Sequence, residues 1–365
     1  MPACTDETGQ RRELSAGRNG EIMRQLLNTL FITSEEAYAT LDGENIVIKK
    51  GETVAARYPL HTLQGVISFS YAGASPALMG ACAKRGIDLV FCTPRGKFLA
   101  RCCGESRGNV LLRRTQYRAA DDLSESNRLA RSFIFGKLHN ARANLDRMRR
   151  DHPLRVDCER FAAASESLKA LLPQVLQVQS ADSLLGLEGA GANIYFSCFD
   201  DMILREKEAF SFHGRNRRPP LDRVNALLSY AYTLLGNDCA SALEAVGLDA
   251  YVGFLHRDRP GRTSLAQDLL EELRPCFAER FVLTMINDRI LSAQDLEVQE
   301  NGAVLLTDEG RRSFLRQWQT RKSVQIMHPF LKEKLPWGLV PYVQALLLAR
   351  YLRGDLDAYP PFLWK

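Results

Sequence analysis

The sequence predicts an α+β multidomain protein: a small N-terminal β-sandwich-like domain followed by a larger all-α C-terminal domain. Three observations carry this expectation. The chain has 365 residues, too many for one ordinary core. Up to about residue 104, apolar residues come in short or alternating runs, punctuated by turn dipeptides such as Asp42-Gly43 and Lys50-Gly51. After Gly104 they recur at helical spacing. The expected division is a disordered extension over 1–22, a β-rich domain over 23–104 and a helical domain over 105–365.

Taken in order, QLLNTLFI, AYATLDG, NIVIKK and TVAARYPL read as strands. GVISFS is a further strand, SPALMGACAKRG a helix that stops at Gly86, and DLVFCT and KFLARCC are strands either side of Pro94-Arg95-Gly96. These suit a small sandwich or curled sheet carrying one helix. Residues 128–150 hold no proline and one glycine, which predicts one long basic helix. Residues 182–202 form another candidate. Residues 221–235 place Val224, Leu227, Leu228, Ala231 and Leu235 on one face, between Pro219-Pro220 and a stop at Gly236. A short helix over 239–246 ends at Gly247. Ser264–Leu273 opens with a Ser-x-x-Gln capping box and stops before Pro275. A hairpin turning at Asn301-Gly302 spans 296–306, and helices over 308–321 and 339–353 complete the set.

Composition narrows the class. Apolar residues make up 45% and charged residues 25%, an ordinary globular balance. No run of 18 apolar residues exists, which argues against a membrane span. The first 22 residues lack the apolar centre of a secretory signal; the structured chain is expected to begin near Met23, with a start-site extension before it. Nine scattered cysteines without a C-x-x-C pair exclude a zinc ribbon and read as reduced thiols of a cytoplasmic protein. The net charge of +5 is unevenly placed: residues 101–150 hold 12 basic and 5 acidic residues. A second knot joins Arg215, Arg217, Arg218 and Arg223 against Asp222. Clustered arginine marks either a phosphate-binding face or a solvated helix surface.

Three segments suggest a metal site. In SLAQDLLEELRP, Leu265, Leu269 and Leu273 repeat every four residues and face the core, while Asp268 and Glu271 lie three apart on one face, able to converge on a cation. Glu272 points further round. The alternative is a solvated acidic face. His256 closes YVGFLH just before the polar loop RDRPGRT; it is either a ligand of the same ion or a histidine satisfied by a backbone carbonyl. Glu188 lies in LLGLEGAGANIYF, where Gly186, Gly189 and Gly191 suggest close backbone approach. A carboxylate packed so tightly needs a partner, either a metal or an arginine of the Arg215–Arg218 knot. Carboxylates with one histidine favour Mg²⁺ or Mn²⁺ over zinc. No Ser-His or Cys-His arrangement suggests a covalent intermediate.

LLGLEGAGANIYF, RNRRPPLDRVNALLSYAYTLL, YVGFLHRDRPGRTSLAQDLLEELRP and QWQTRK, occurring in this order, together resemble the CRISPR-associated spacer-acquisition integrases, the "Cas-one" endonuclease family. The resemblance covers nearly all of residues 23–330, with MRQLLNTLFI similar to a family start. The length and motif style are closest to the form accompanying type I-C systems. The segment MHPFLKEKLPWGLVPYVQ lies where family members diverge.

The resemblance implies a metal-dependent DNA endonuclease and integrase that inserts short spacers into a repeat array, by attack of a 3′-hydroxyl on a phosphodiester. It implies a homodimer formed through the β domain, joined with a small ferredoxin-like partner into a heterohexamer on prespacer and repeat-array double-stranded DNA. The family's metal ligands fall on Glu188, His256 and Glu271, with Asp268 as a further acidic position that either ligates or supports. Arg215, Arg217, Arg218, Arg257 and Arg259 are the expected DNA contacts. A nuclease of branched DNA in repair and a non-catalytic nucleic-acid scaffold remain as alternatives.

Overall fold

A computed structural model describes residues 23–26, 29–63, 65–93, 98–102, 110–216 and 219–364. The expected extension over 1–22 lies outside the described residues, as does the boundary near Gly104. No helix among the described residues is long and apolar enough to cross a membrane.

The N-terminal part holds two sheets. Strands β1 (Met23–Leu26), β2 (Thr29–Ile32), β6 (Gly65–Ser68), β7 (Asp88–Cys92) and β8 (Phe98–Cys102) form one sheet in the order β1-β2-β6-β7-β8. Its centre is parallel, with Phe31 beside Ile67 and Ile67 beside Val90, and both outer strands are antiparallel. Strands β3 (Ala37–Asp42), β4 (Asn45–Lys50) and β5 (Thr53–Pro59) make the second, antiparallel sheet. Helix α1 (Pro76–Arg85) starts where the Ser75 hydroxyl accepts the Leu78 N–H, and ends at Gly86, whose φ of 68° is a left-handed stop.

The central strands β2, β6 and β7 are buried on both faces, which explains why they read as continuous apolar runs. Alternate residues serve different cores. Leu30, Ile32, Val66 and Leu89 pack with α1 and the smaller sheet. Phe31, Ile67, Phe69 and Val90 join the helical core instead. There the Tyr342 ring meets Phe31 and Phe69 edge-on, at centroid separations of 6.3 and 5.4 Å.

The helical part comprises α2 (Val110–Asp121), α3 (Leu123–Asp151), α4 (Cys158–Gln177), α5 (Ala181–Ser197), α6 (Arg223–Ala245), α7 (Ser264–Leu273), α8 (Arg280–Asn287), α9 (Asp308–Ser323) and α10 (Val340–Leu352). The expected stop at Gly236 does not occur. Helix α6 runs through it: an interior glycine lowers helix propensity without breaking the hydrogen-bond ladder, and Gly236 faces α7, where a Cβ would make an ordinary 3.5 Å contact with the Gln267 amide nitrogen. The α-helix does stop at Leu273, ahead of Pro275 as expected, but the chain does not leave the helical path. The chain widens into a π-helical turn (Arg274–Glu279) that accommodates the missing N–H and continues into α8. The capping box expected at Ser264 is absent too: Ser264 Oγ donates to the Arg257 carbonyl at 3.2 Å, and Thr263 precedes the helix without a side-chain cap.

Candidate active site

Helix α7 was expected to show either a metal-binding or a solvated acidic face. None of its three carboxylates is solvated: Asp268 and Glu272 are fully buried and Glu271 nearly so. Each is committed to different partners, and those partners set what each can do.

Asp268 belongs to the His256 loop. Its Oδ2 accepts the N–H of Phe254 at 2.6 Å and of Leu255 at 3.0 Å, and its Oδ1 accepts the N–H of His256 at 3.0 Å. The His256 ring approaches Oδ1 through Nδ1 at 2.6 Å. A carboxylate only accepts here, so Nδ1 carries a proton, and in the neutral ring Nε2 is the nitrogen with the free lone pair. With four bonds on two oxygens, Asp268 stands behind His256 as its support. Gly253 makes this possible, since a Cβ there would lie 2.8 Å from the His256 carbonyl oxygen and 2.9 Å from Asp268 Oδ2.

Glu271 faces the other way. Its Oε1 lies 3.0 Å from an Arg274 guanidinium nitrogen and its Oε2 lies 2.7 Å from Lys137 Nζ. Burial opposes its charge, yet Arg274 and Lys137 hold the carboxyl down to about 2. The same ammonium pairs with Glu188 on α5, so two carboxylates from separate helices close on one buried positive charge. Burial works against that ammonium, but Glu271 and Glu188 together raise its pKa and keep it charged. The partner expected for Glu188 was a metal or an arginine of the 215–218 knot; in the structure it is Lys137.

Glu272 looks into the protein. The Tyr359 hydroxyl donates to it at 2.6 Å, the Gln344 amide at 3.0 Å and the Phe362 N–H at 3.1 Å. Burial pushes its carboxyl up to about 7 against these three donors.

Two cavities share a wall here. One, of about 670 Å³, is lined by Glu188, His256, Glu271 and Arg274, with Arg259 and Arg262 at its rim. The other, of about 590 Å³, holds Lys137, Arg215, Tyr232 and Glu279 and also touches Glu188 and Arg274. The three expected metal ligands therefore lie on one cavity, and Asp268 does not. Arg259 lines that cavity, whereas Arg257 is exposed beside it without lining it. Arg215 lines the second cavity, bonded to Asn225 and over the Tyr232 ring. Arg217 and Arg218 lie outside the described residues. Among the described residues no three His, Cys, Asp or Glu side chains are drawn close enough to form a ready metal cluster. The donors still fit a hard divalent cation in type: two carboxylates already converge on one positive charge, and an imidazole offers its bare nitrogen.

Sequence reasoning missed Lys137, Arg274, Arg262 and Glu279. A signal for the first existed. Phe133, Ile134, Leu138 and Ala141 form the buried stripe of α3, and Lys137 sits on that stripe rather than opposite it. The glycines of α5 were read too broadly. Only Gly191 marks a close approach, with Leu138 filling the space of its missing side chain, while Gly186 and Gly189 face open space. The basic helix α3 also spends much of its charge internally, since Arg142 and Arg149 pair with Asp146, and Arg147 with Asp151.

Comparison with known proteins supplies the family. A CRISPR-associated endonuclease Cas1 from Rhodospirillum rubrum is 48% identical over 347 residues, covering 94% of this chain and all of the relative. Among solved structures, a casposase bound to an integration product superposes with a TM-score of 0.76 at 22% identity, covering 93% of this chain and 100% of that one. A chain of a partial Cas6-RT-Cas1–Cas2 complex gives 0.72 at 23% identity, over 93% of this chain and 99% of that one. These two structures share the fold. The CRISPR associated protein Cas1 family matches residues 30–320, and with a relative this similar along its whole length, the chain belongs to that family.

Proposed function

We propose that this chain is a metal-dependent DNA endonuclease and integrase of CRISPR adaptation, acting in the cytoplasm. The observation that carries the reading is the gathering of Glu188, His256 and Glu271 on one arginine-rimmed cavity in a Cas1-family chain. Glu188, His256 and Glu271 would hold Mg²⁺ or Mn²⁺, whose chemistry when bound is that of a Lewis acid on a phosphate oxygen.

The chain's own residues do the rest. Asp268 locks the His256 tautomer so that Nε2, not Nδ1, faces the cavity. Arg259 and Arg262 meet the incoming phosphodiester, and Arg274 stands at the cavity wall where charge on a phosphate oxygen would develop. In integration, the 3′-hydroxyl of the captured strand forms the new O–P bond, while the repeat's own O–P bond breaks and its oxygen leaves as a hydroxyl. With water as nucleophile the same exchange is hydrolysis. The DNA partners are a prespacer duplex and the repeat array. The assembly is a homodimer joined to a small ferredoxin-like adaptation protein in a heterohexamer, a reading that family membership supports.

The test is strand transfer of a short duplex into a repeat-bearing plasmid, with and without the small partner, in Mg²⁺, Mn²⁺ or excess EDTA. Activity should need the cation and vanish in Glu188→Ala and His256→Ala while DNA binding persists. Full transfer in EDTA, or unimpaired transfer by both variants, refutes the metal enzyme and favours a scaffold.

A further inference from the structure

A buried lysine between two carboxylates at a proposed cation site needs a reason to be there. Lys137 comes from α3, Glu188 from α5 and Glu271 from α7, so three helices are tied at one ammonium. Without a positive charge between them the two carboxylates would repel. With a divalent ion present as well, the buried ammonium would be surplus and would itself need an acceptor.

The structure holds a second acceptor. Glu279, on the π-helical turn that follows α7, is buried; its Oε1 accepts the Tyr232 hydroxyl at 2.6 Å, and Tyr195 is its second hydroxyl neighbour. Glu279 and Lys137 line the same second cavity, and Glu188 stands in the wall between that cavity and the first. Burial pushes the Glu279 carboxyl upward, and Tyr232, Tyr195 and the Lys137 charge pull it back, so the ammonium is already within electrostatic reach. A lysine's four-carbon stem allows its head to change partners while its root stays fixed.

We propose that Lys137 is a displaceable counter-cation: its ammonium holds Glu188 and Glu271 together in the metal-free protein and turns to Glu279 when a divalent ion takes its place. The proposal rests on the metal-site reading above. It makes Lys137 a positioning residue, one that keeps both carboxylates convergent before the metal arrives. It also gives the buried Glu279 carboxylate, held otherwise by neutral tyrosine hydroxyls, a cation to pair with.

The test is Mn²⁺ binding to the full chain, read by electron paramagnetic resonance of free Mn²⁺. Glu188→Gln and His256→Ala come first: if neither weakens Mn²⁺ binding, the metal-site reading fails and this proposal with it. If they do weaken it, Lys137→Met should bind Mn²⁺ about tenfold tighter than the parent, because the resident competitor is gone. Glu279→Gln should weaken binding in the parent but leave the Lys137→Met background unchanged, a non-additivity that a merely structural role would not produce. Unchanged or weaker binding by Lys137→Met overturns the proposal, as does an equal effect of Glu279→Gln in both backgrounds. Should Lys137→Met fail to fold, a crystal structure of the parent grown with Mn²⁺ decides. Nζ bonded to Glu279 upholds the exchange, and Nζ still between Glu188 and Glu271 overturns it.

Discussion

Asp268 grips the Nδ1 of His256 at 2.6 Å and takes the N–H groups of Phe254, Leu255 and His256 with the same carboxylate. One side chain thereby fixes a tautomer, a ring orientation and a loop. Asp268→Asn removes an acceptor and introduces a donor among donors. Strand cutting should fall about 10–100-fold, the usual loss when the support of a metal-binding histidine is removed. Metal titration of the purified variant checks it; parent-like Mn²⁺ affinity and activity would show that the support is dispensable.

The neighbours Glu271 and Glu272 should separate cleanly by readout. Glu271→Gln alters the cavity and should lower activity at least about 100-fold, as loss of a metal ligand does, and should also lower the melting temperature, because Lys137 and Arg274 lose a buried counter-charge. Glu272→Gln sets its new amide donor against the Phe362 N–H and should destabilise the fold by about 1–3 kcal/mol while leaving the activity of folded protein near that of the parent. Parallel melts and cleavage assays at a temperature where both are folded test the pair. Equal activity losses would place the two carboxylates in one role.

The same pair gives opposite pH slopes. The Glu271 carboxyl sits at about 2 in the fold against an ordinary 4.5, so its stabilising share is full above 4.5 and is lost as pH falls toward 2. The Glu272 carboxyl sits at about 7 against 4.5, so the folded state keeps a proton that the unfolded chain has released, and stability declines as pH rises from 4.5 to 7. Urea unfolding in chelator should show the parent losing up to about 3 kcal/mol across that upper window from this group. Glu272→Gln should flatten the decline; an unchanged slope would assign it elsewhere.

Space, rather than backbone angle, governs Gly253. A methyl group there meets the His256 carbonyl at 2.8 Å and the Asp268 carboxylate at 2.9 Å. Gly253→Ala should cost about 1–3 kcal/mol and displace His256, lowering activity more than stability alone explains. Activity measured per folded molecule checks this, and a fully active, stable Ala variant would show that the loop yields freely.

Arg259 and Arg262 rim the cavity without a carboxylate partner among the described residues. Replacing both with Ala should weaken duplex binding and reduce the dependence of log affinity on log salt by about 1–2. Fluorescence anisotropy across a salt series measures it. An unaltered slope would mean that DNA approaches from another side.

Much of the architecture was legible because period and punctuation are local. Alternating strands, the Ser75 cap and the Gly86 stop all act within a few residues. Gly236 misled because one glycine inside a helix packed on its neighbours does not end it, and Pro275 marked the end of α7 without showing the π-turn that carries the chain on. The site was legible only where long motifs resembled a family. Spacing alone put Asp268 beside Glu271, and it could not show that Asp268 would be consumed by the Phe254–His256 backbone. Nor could it show that Lys137, counted among surface bases, would turn inward to Glu188 and Glu271, since that depends on how three helices meet.

The last described residues fold back onto the same helices. Asn140 on α3 exchanges hydrogen bonds with the Phe362 carbonyl and the Trp364 N–H, both at 2.7 Å, and also reaches the Glu272 carbonyl. This strap links the helix rooting the ammonium to α7, which bears Glu271 and Glu272, through the last residues described. Purification handles fused at that end, or trimming before Tyr359, would therefore be read out at the reaction centre.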